Sequence, residues 1–278
     1  MSMAILFALL LTSGKTLQAF ATKRGTATLD TTVLAMSQAL LSVVFFWGAK
    51  PFLPSLWVPD TIAVLVGALG GVAMFYFSKL MYDVRKESNS ASMFISFIAL
   101  GIAASVNTGL LGEGLTTMQL VSCIGIGLLG GTFFLYGAAS ELSAAGKKAF
   151  AFSLFWCVLV ICTDRFVIAR TNWYVNAIIT ETIYFLTALF ALRKAKLKLG
   201  TSFKQPILWY CGIIYVSMTL LTMYSSGEVL GVSITHVFLR LSTPIVMVLS
   251  AYTHGERTPR EQLIFGALAF LLALPLVL

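Results

Sequence analysis

Three full charges lie deep inside long apolar runs of this chain: Lys15, Glu181 and Arg240. On insertion scales a charge at the bilayer centre costs at least about 2.5–3.5 kcal/mol, so such residues face a bundle interior or a wet cavity and pair there. Arginine and lysine can hold a carboxylate or phosphate, the arginine bidentately. A buried glutamate can carry a proton or meet a substrate ammonium, and it is the proton-coupling candidate here. The alternative is an ion pair of Glu181 with Lys15 or Arg240 that only fixes helix packing. Two cations and one anion leave one positive charge over, which an anionic group would satisfy. The spacing places these charges on shared faces. His236, Arg240, Thr243 and Met247 form one helical stripe, as do Lys15, Gln18 and Thr22, and Glu181 sits over Tyr184 and Phe185. Asn107 and Ser96 mark a polar face. Tyr76, Tyr215 and Trp156 are candidate wall aromatics, for which packing or interfacial anchoring is the competing account. The substrate-binding set is therefore Lys15, Gln18, Tyr76, Asn107, Trp156, Glu181, Tyr215, His236 and Arg240.

Other chemistry is not indicated. Cys123, Cys157, Cys162 and Cys211 all fall in apolar runs without a CxxC pair and are expected to be small buried hydrophobes. His236 and His254 offer no ligand cluster, so no metal or cofactor is expected. No clustered nucleophile and base points to an enzyme. Gly125-Ile126-Gly127-Leu128-Leu129-Gly130 fits GxGxxG but lies inside an apolar run, where small residues serve close helix approach. Ser13-Gly14-Lys15-Thr16 ends like a phosphate-binding loop, yet Leu9 stands where the first glycine is required. With no ATP-binding motif, uphill transport would use an ion gradient or exchange.

The elements that must position these residues are membrane spans. The 278 residues are 58% hydrophobic and 11% charged, against about 25% charged in soluble domains. A span needs about 20 mostly apolar residues. Ten such runs are counted, at roughly 3–22, 30–49, 60–80, 90–110, 117–138, 149–168, 172–192, 206–225, 232–252 and 261–278. No room is left for an appended soluble domain. Ser88–Gly131 recurs from Gly231 onward: Gly112-Glu113 returns as Gly255-Glu256 and Gln119-Leu120 as Gln262-Leu263, 143 residues later, and Ser90 as Ser233. Span 1 echoes in span 6 at an offset of 142, placing Lys23 over Arg165. The chain thus divides into 1–143 and 144–278. Five spans per half is an odd number, so the halves must be inverted relative to one another. The fold class is all-α integral membrane, ten transmembrane helices as two inverted five-helix repeats.

A fourth and a ninth span that end in Gly-Glu, followed by a turn and a further span, resemble the drug/metabolite transporter superfamily, EamA-like branch. The motif here is Gly112-Glu113 with Thr116 and Gln119, and Gly255-Glu256 with Thr258 and Gln262. The tenth span departs from the pattern, because Leu271–Leu278 is plain aliphatic rather than glycine-rich. The resemblance covers the whole chain and implies a substrate cavity lined by spans 1–4 and 6–9, with spans 5 and 10 peripheral. Glu113 and Glu256, at span ends in polar turns, read better as hairpin and helix-start chemistry than as proton carriers.

Charge distribution sets the orientation. The odd-numbered loops hold thirteen Lys and Arg, the even-numbered loops only Lys50, Arg165 and Arg170. Short basic loops stay cytoplasmic, so both termini are expected outside an inner or plasma membrane. Charges spread over five loops do not make a nucleic-acid patch. The expected activity is secondary transport of a small organic metabolite, zwitterionic or anionic and amino-acid-like, by alternating access and with protons as a possible co-substrate. A lipid flippase or a membrane-embedded enzyme is the alternative. The partners are that substrate and the bilayer, with the chain a monomer or a weak homodimer.

Overall fold

The computed structural model describes residues 3–194, 204–254 and 260–276. Gly255-Glu256, Thr258 and residues 195–203 lie outside the described residues, as do the side chains of Lys23, Arg85, Lys86, Ser90, Met247 and Gln262. The described residues form ten α-helices: α1 (Met3–Thr28), α2 (Thr31–Ala49), α3 (Thr61–Glu87), α4 (Asn89–Gly109), α5 (Thr117–Tyr136), α6 (Ala144–Arg170), α7 (Trp173–Lys194), α8 (Pro206–Tyr224), α9 (Val232–His254) and α10 (Arg260–Ala273). Eight of them, α1 to α8, are long and apolar enough to cross a membrane; the apolar stretch at the C-terminal end, Leu263–Leu276, is shorter. Of the ten spans expected, eight meet that requirement among the described residues. Large apolar side chains such as Leu65, Leu128, Leu135 and Phe190 stand exposed on the helices. A water-facing protein rarely shows so much, and the chain is a multi-pass membrane protein.

Several helices run past the apolar windows that locate them. α3 extends to Glu87 and α6 spans 27 residues, about 40 Å at 1.5 Å per residue, longer than the roughly 30 Å hydrocarbon core. Lys23, Arg24, Arg85, Lys86, Lys147 and Lys148 are therefore helix-end residues rather than loop residues. Conversely α10 stops at Ala273 and tightens into a 3₁₀ turn, Leu274–Leu276, around Pro275, which cannot donate to a helical bond.

Local chemistry sets the helix starts. The side chains of Asp30, Asp60, Ser88 and Ser143 accept from backbone N–H groups in the first turns of α2, α3, α4 and α6. Asn172 accepts from Tyr174 N and Val175 N, both at 3.0 Å, at the start of α7. Thr116 and Gln119 complete a reciprocal capping box on α5, as the sequence anticipates. α8 runs into a π-helical turn, Ser225–Val229, before α9. The sharp reversals before α5 and before α9 each use a glycine of positive φ, Gly112 (62°) and Gly231 (78°).

Helix contacts close a ring: α1 packs on α9, α9 on α4, α4 on α6, α6 on α3, α3 on α7, α7 on α2, α2 on α8, and α8 on α1. Outside the ring α5 covers α4 and meets α10, which also packs on α9. The α4–α5 contact is close because Gly101 and Gly127 face each other: a Cβ added to Gly127 would stand 2.8 Å from Gly101 Cα, and one on Gly130 2.9 Å from Phe97 Cβ. The GxGxxG stretch is thus a helix-packing surface.

Candidate functional site

α9 presents His236 and Arg240 one turn apart, facing α6. His236 is 6% exposed, and neither ring nitrogen has a hydrogen-bond partner among the described residues. Its Nε2 lies 3.8 Å from Asp164 Oδ2 on α6. Asp164, also buried, is held from the other side: Asn176 Nδ2 on α7 donates to its Oδ1 at 2.8 Å, and the Thr180 hydroxyl donates to Asn176 Oδ1 at 3.3 Å. Arg240 Nη2 reaches Cys157 Sγ at 4.0 Å, and its guanidinium lies 6.0 Å from the centre of the Phe77 ring. Arg240 Nε is buried without a hydrogen-bond partner among the described residues. Ser96 of α4 neighbours the same thiol. Pro244, four residues further along α9, has no N–H to give the Arg240 carbonyl, so the helical ladder is interrupted at this residue.

Glu181 sits on α7 in a second polar group. It is 2% exposed. The Tyr215 hydroxyl of α8 donates to its Oε1 at 3.1 Å, and its Oε2 has no hydrogen-bond partner among the described residues. Among the described residues a phenol, not a cation, is the group that meets this carboxyl. Lys15 donates instead to Gln18 Oε1 at 2.6 Å on its own helix. Thr12, one turn earlier on α1, donates to the Phe238 carbonyl of α9 at 3.0 Å.

Four further expectations are corrected. Asn107 does not open onto a cavity; it is fully buried and its Nδ2 donates to Ser233 Oγ at 3.3 Å. Glu113 does belong to helix-start chemistry, but it serves α9, 120 residues further along the chain. Its Oε1 accepts from Ser233 N at 2.8 Å and its Oε2 from Ser233 Oγ at 2.5 Å. Tyr76 is 41% exposed and stacks on half-buried Trp156 with ring centres 5.4 Å apart, so this pair packs α3 on α6 at the bundle surface. Lastly, the surplus cation disappears. Asp164 had no place in the sequence count, and with it the deep charges are Lys15 and Arg240 on one side and Asp164 and Glu181 on the other, two of each sign. Arg165, next in sequence, reaches the Gly112 carbonyl at 2.8 Å. Cys123, Cys157 and Cys211 are buried as anticipated, although Cys157 is a neighbour of Arg240 rather than inert packing.

A cavity of about 190 Å³, open solvent included, is lined by Thr31, Thr32, Ala35, Phe75, Lys79 and Tyr82. None of Lys15, Glu181 and Arg240 lines it. Chemically, the α6–α7–α9 cluster offers a cationic donor, a carboxylate and an imidazole whose hydrogen-bonding capacity is largely unused. Such a set suits an anion, a zwitterion or a transferable proton.

No family model and no curated protein matches the sequence. A solved crystal structure of a protein is similar in fold, with a TM-score of 0.67 at 15% identity over 97% of this chain and 94% of that one. At that identity the likeness establishes the fold alone.

Proposed function

We propose that the chain is a secondary transporter of the drug/metabolite transporter type, built of ten spans in two inverted halves and carrying a small organic metabolite across an inner or plasma membrane by alternating access. The observation that carries this reading is the set of buried, incompletely paired charged groups, Arg240, His236, Asp164 and Glu181, inside a ring of apolar helices. Such groups in a membrane mark substrate and ion pathways. The ring supports the inverted repeat. Its neighbours alternate between α1–α4 and α6–α9, and exchanging each helix for the one five further along returns the same set of contacts. α5 and α10 stay outside it. The balance of two cations and two acids favours a substrate of both signs, amino-acid-like, with its anionic group on Arg240 and its cationic group on the acids. Transport is driven by an ion gradient, with protons as the co-substrate, or by exchange.

Purified protein in liposomes, offered radiolabelled zwitterionic, anionic and cationic metabolites in parallel, tests this. Uptake of a zwitterion or an anion is expected, with a loss of at least tenfold in Arg240→Gln while the variant still inserts and keeps its helical signal. Normal transport of a cation by that variant would remove Arg240 from the site.

A further inference from the structure

Among the described residues His236 is a buried base whose two ring nitrogens have no hydrogen-bond partner, with a carboxylate 3.8 Å from one of them. That gap is too long for a hydrogen bond and short enough for a strong charge interaction in a dry interior. Asp164 is fixed by Asn176, whereas His236 rides on α9, whose ladder Pro244 interrupts one turn beyond Arg240. The charges around the imidazole are few. From α6 it feels Asp164, from its own helix Arg240, and from the turn after α4 Glu113. α4 itself, Asn89–Gly109, carries no titratable side chain. Among the described side chains of the other elements packed on α9, α1 carries Lys15, bonded to Gln18, and exposed Arg24 near its end, α5 buried Cys123 and exposed Tyr136, α10 exposed Arg260, and the π-turn exposed Glu228. Glu113 is already engaged by two donors of Ser233. Asp164 and Arg240 are therefore the opposing influences, one favouring a protonated imidazole and the other opposing it.

We propose that Asp164 and His236 together form a proton-binding site between α6 and α9, and that an anion seated on Arg240 is what lets the proton enter. The step transfers one proton from a hydronium ion of the aqueous phase to the imidazole, leaving water; the imidazolium then donates to Asp164 Oδ2 across a shortened gap, and no other covalent bond changes. An anion on the guanidinium cancels the charge that opposes protonation, so anion and proton bind with positive coupling, and each raises the affinity for the other by the same factor. Asp164 also acts electrostatically on Glu181, which links the site to the second polar group. The role in a transport cycle rests on the transporter reading, while the proton site and its coupling to an anion do not.

The chain has two histidines, so His254→Asn leaves His236 as a single reporter. The full-length protein in detergent, labelled with ¹³C at the imidazole Cε1, is titrated by NMR. Asp164→Asn is expected to lower the His236 midpoint by about 1 pH unit, and Arg240→Gln to raise it by a similar amount. Acetate should raise the midpoint in the parent chain, relative to sodium chloride at equal ionic strength, and leave it unmoved in Arg240→Gln. If Asp164→Asn does not fold, Arg240→Gln supplies the test with the opposite sign. An imidazole that never titrates, a midpoint indifferent to both substitutions, or an acetate effect of equal size in Arg240→Gln overturns the proposal. Because none of these readouts needs transport, a failure here is distinct from a failure of the liposome assay.

Discussion

At the scale of single residues, what separates Glu181 from an ordinary buried acid is its partner. An ion pair would make its neutralisation costly, because truncating one member strands the other. Glu181 instead accepts one phenol and leaves Oε2 unused. Glu181→Gln keeps an oxygen for Tyr215 and strands no cation, so the variant is expected to fold, with a loss of stability no larger than about 1–3 kcal/mol for the new buried amide. If this carboxyl carries a proton in the cycle, the same variant keeps substrate exchange in liposomes and loses its response to a pH gradient. A stable variant whose uptake remained fully pH-driven would exclude the coupling role. A large drop in melting temperature with coupling intact would instead mark the residue as structural.

At the scale of elements, the ends of the helices hold the ring together. α3 and α6 run antiparallel and are clipped at both ends. Arg170 Nε meets Asp60 Oδ2 at 2.5 Å, and Ser143 N and Oγ each donate to Glu87 at 3.0 Å. Asp60 lies outside the span, and its bond to Arg170, then that to Ile62 N, hold its carboxyl below the ordinary value of 3.8. A depressed carboxyl contributes stability that is fully present above its unfolded value and disappears as the pH falls through the lowered one. Asp60→Asn should therefore lower the melting temperature slightly near neutral pH, as expected of a solvent-exposed pair. The difference from the parent should shrink as the pH falls below about 4. A difference that stays constant across that range would show that the charge of the Asp60 carboxylate contributes nothing through either bond. Sequence made the apolar helices, the capping box and the α5 glycine face legible, because each depends on residues within one element. It did not reveal what crosses between elements. Glu113 caps α9 from 120 residues away, and no local pattern carries that. Asp164 was closer to hand. It stands 142 residues after Thr22 and Cys157 stands 142 after Lys15, so the polar stripe of α1 returns on α6 with an acid and a thiol. The charge alone, inside an apolar run, was the signal available.

At the scale of the whole molecule, the contacts between helix ends sort into two faces. Asp60 with Arg170, Leu56 O with Asn172 and Glu113 with Ser233 join the even-numbered connections to one another. Glu87 with Ser143 and Ser88 with Glu141 join the odd-numbered ones. None of these clips among the described residues mixes the two sets, as two opposite membrane faces require. The thirteen-to-three division of Lys and Arg then becomes a difference between faces, even though many of those residues extend helices rather than fill loops. Basic flanks within about 15–20 residues of span ends are retained on the cytoplasmic side. The face bearing Lys147 and Lys148 should therefore be cytoplasmic, and the face bearing the Gly112 turn should lie outside with both termini. Leu110, 80% exposed at the end of α4, and exposed Lys148 in the first turn of α6 are suited to report this, because neither is engaged in a clip. Three of the four native thiols are buried, which keeps the background low. A membrane-impermeant maleimide applied to intact cells should label Leu110→Cys above the unsubstituted chain, and should label Lys148→Cys only after lysis. The reverse pattern would turn the molecule over. Equal labelling of both in intact cells would mean that the two faces are not separated by a membrane, which would remove the basis for alternating access as well.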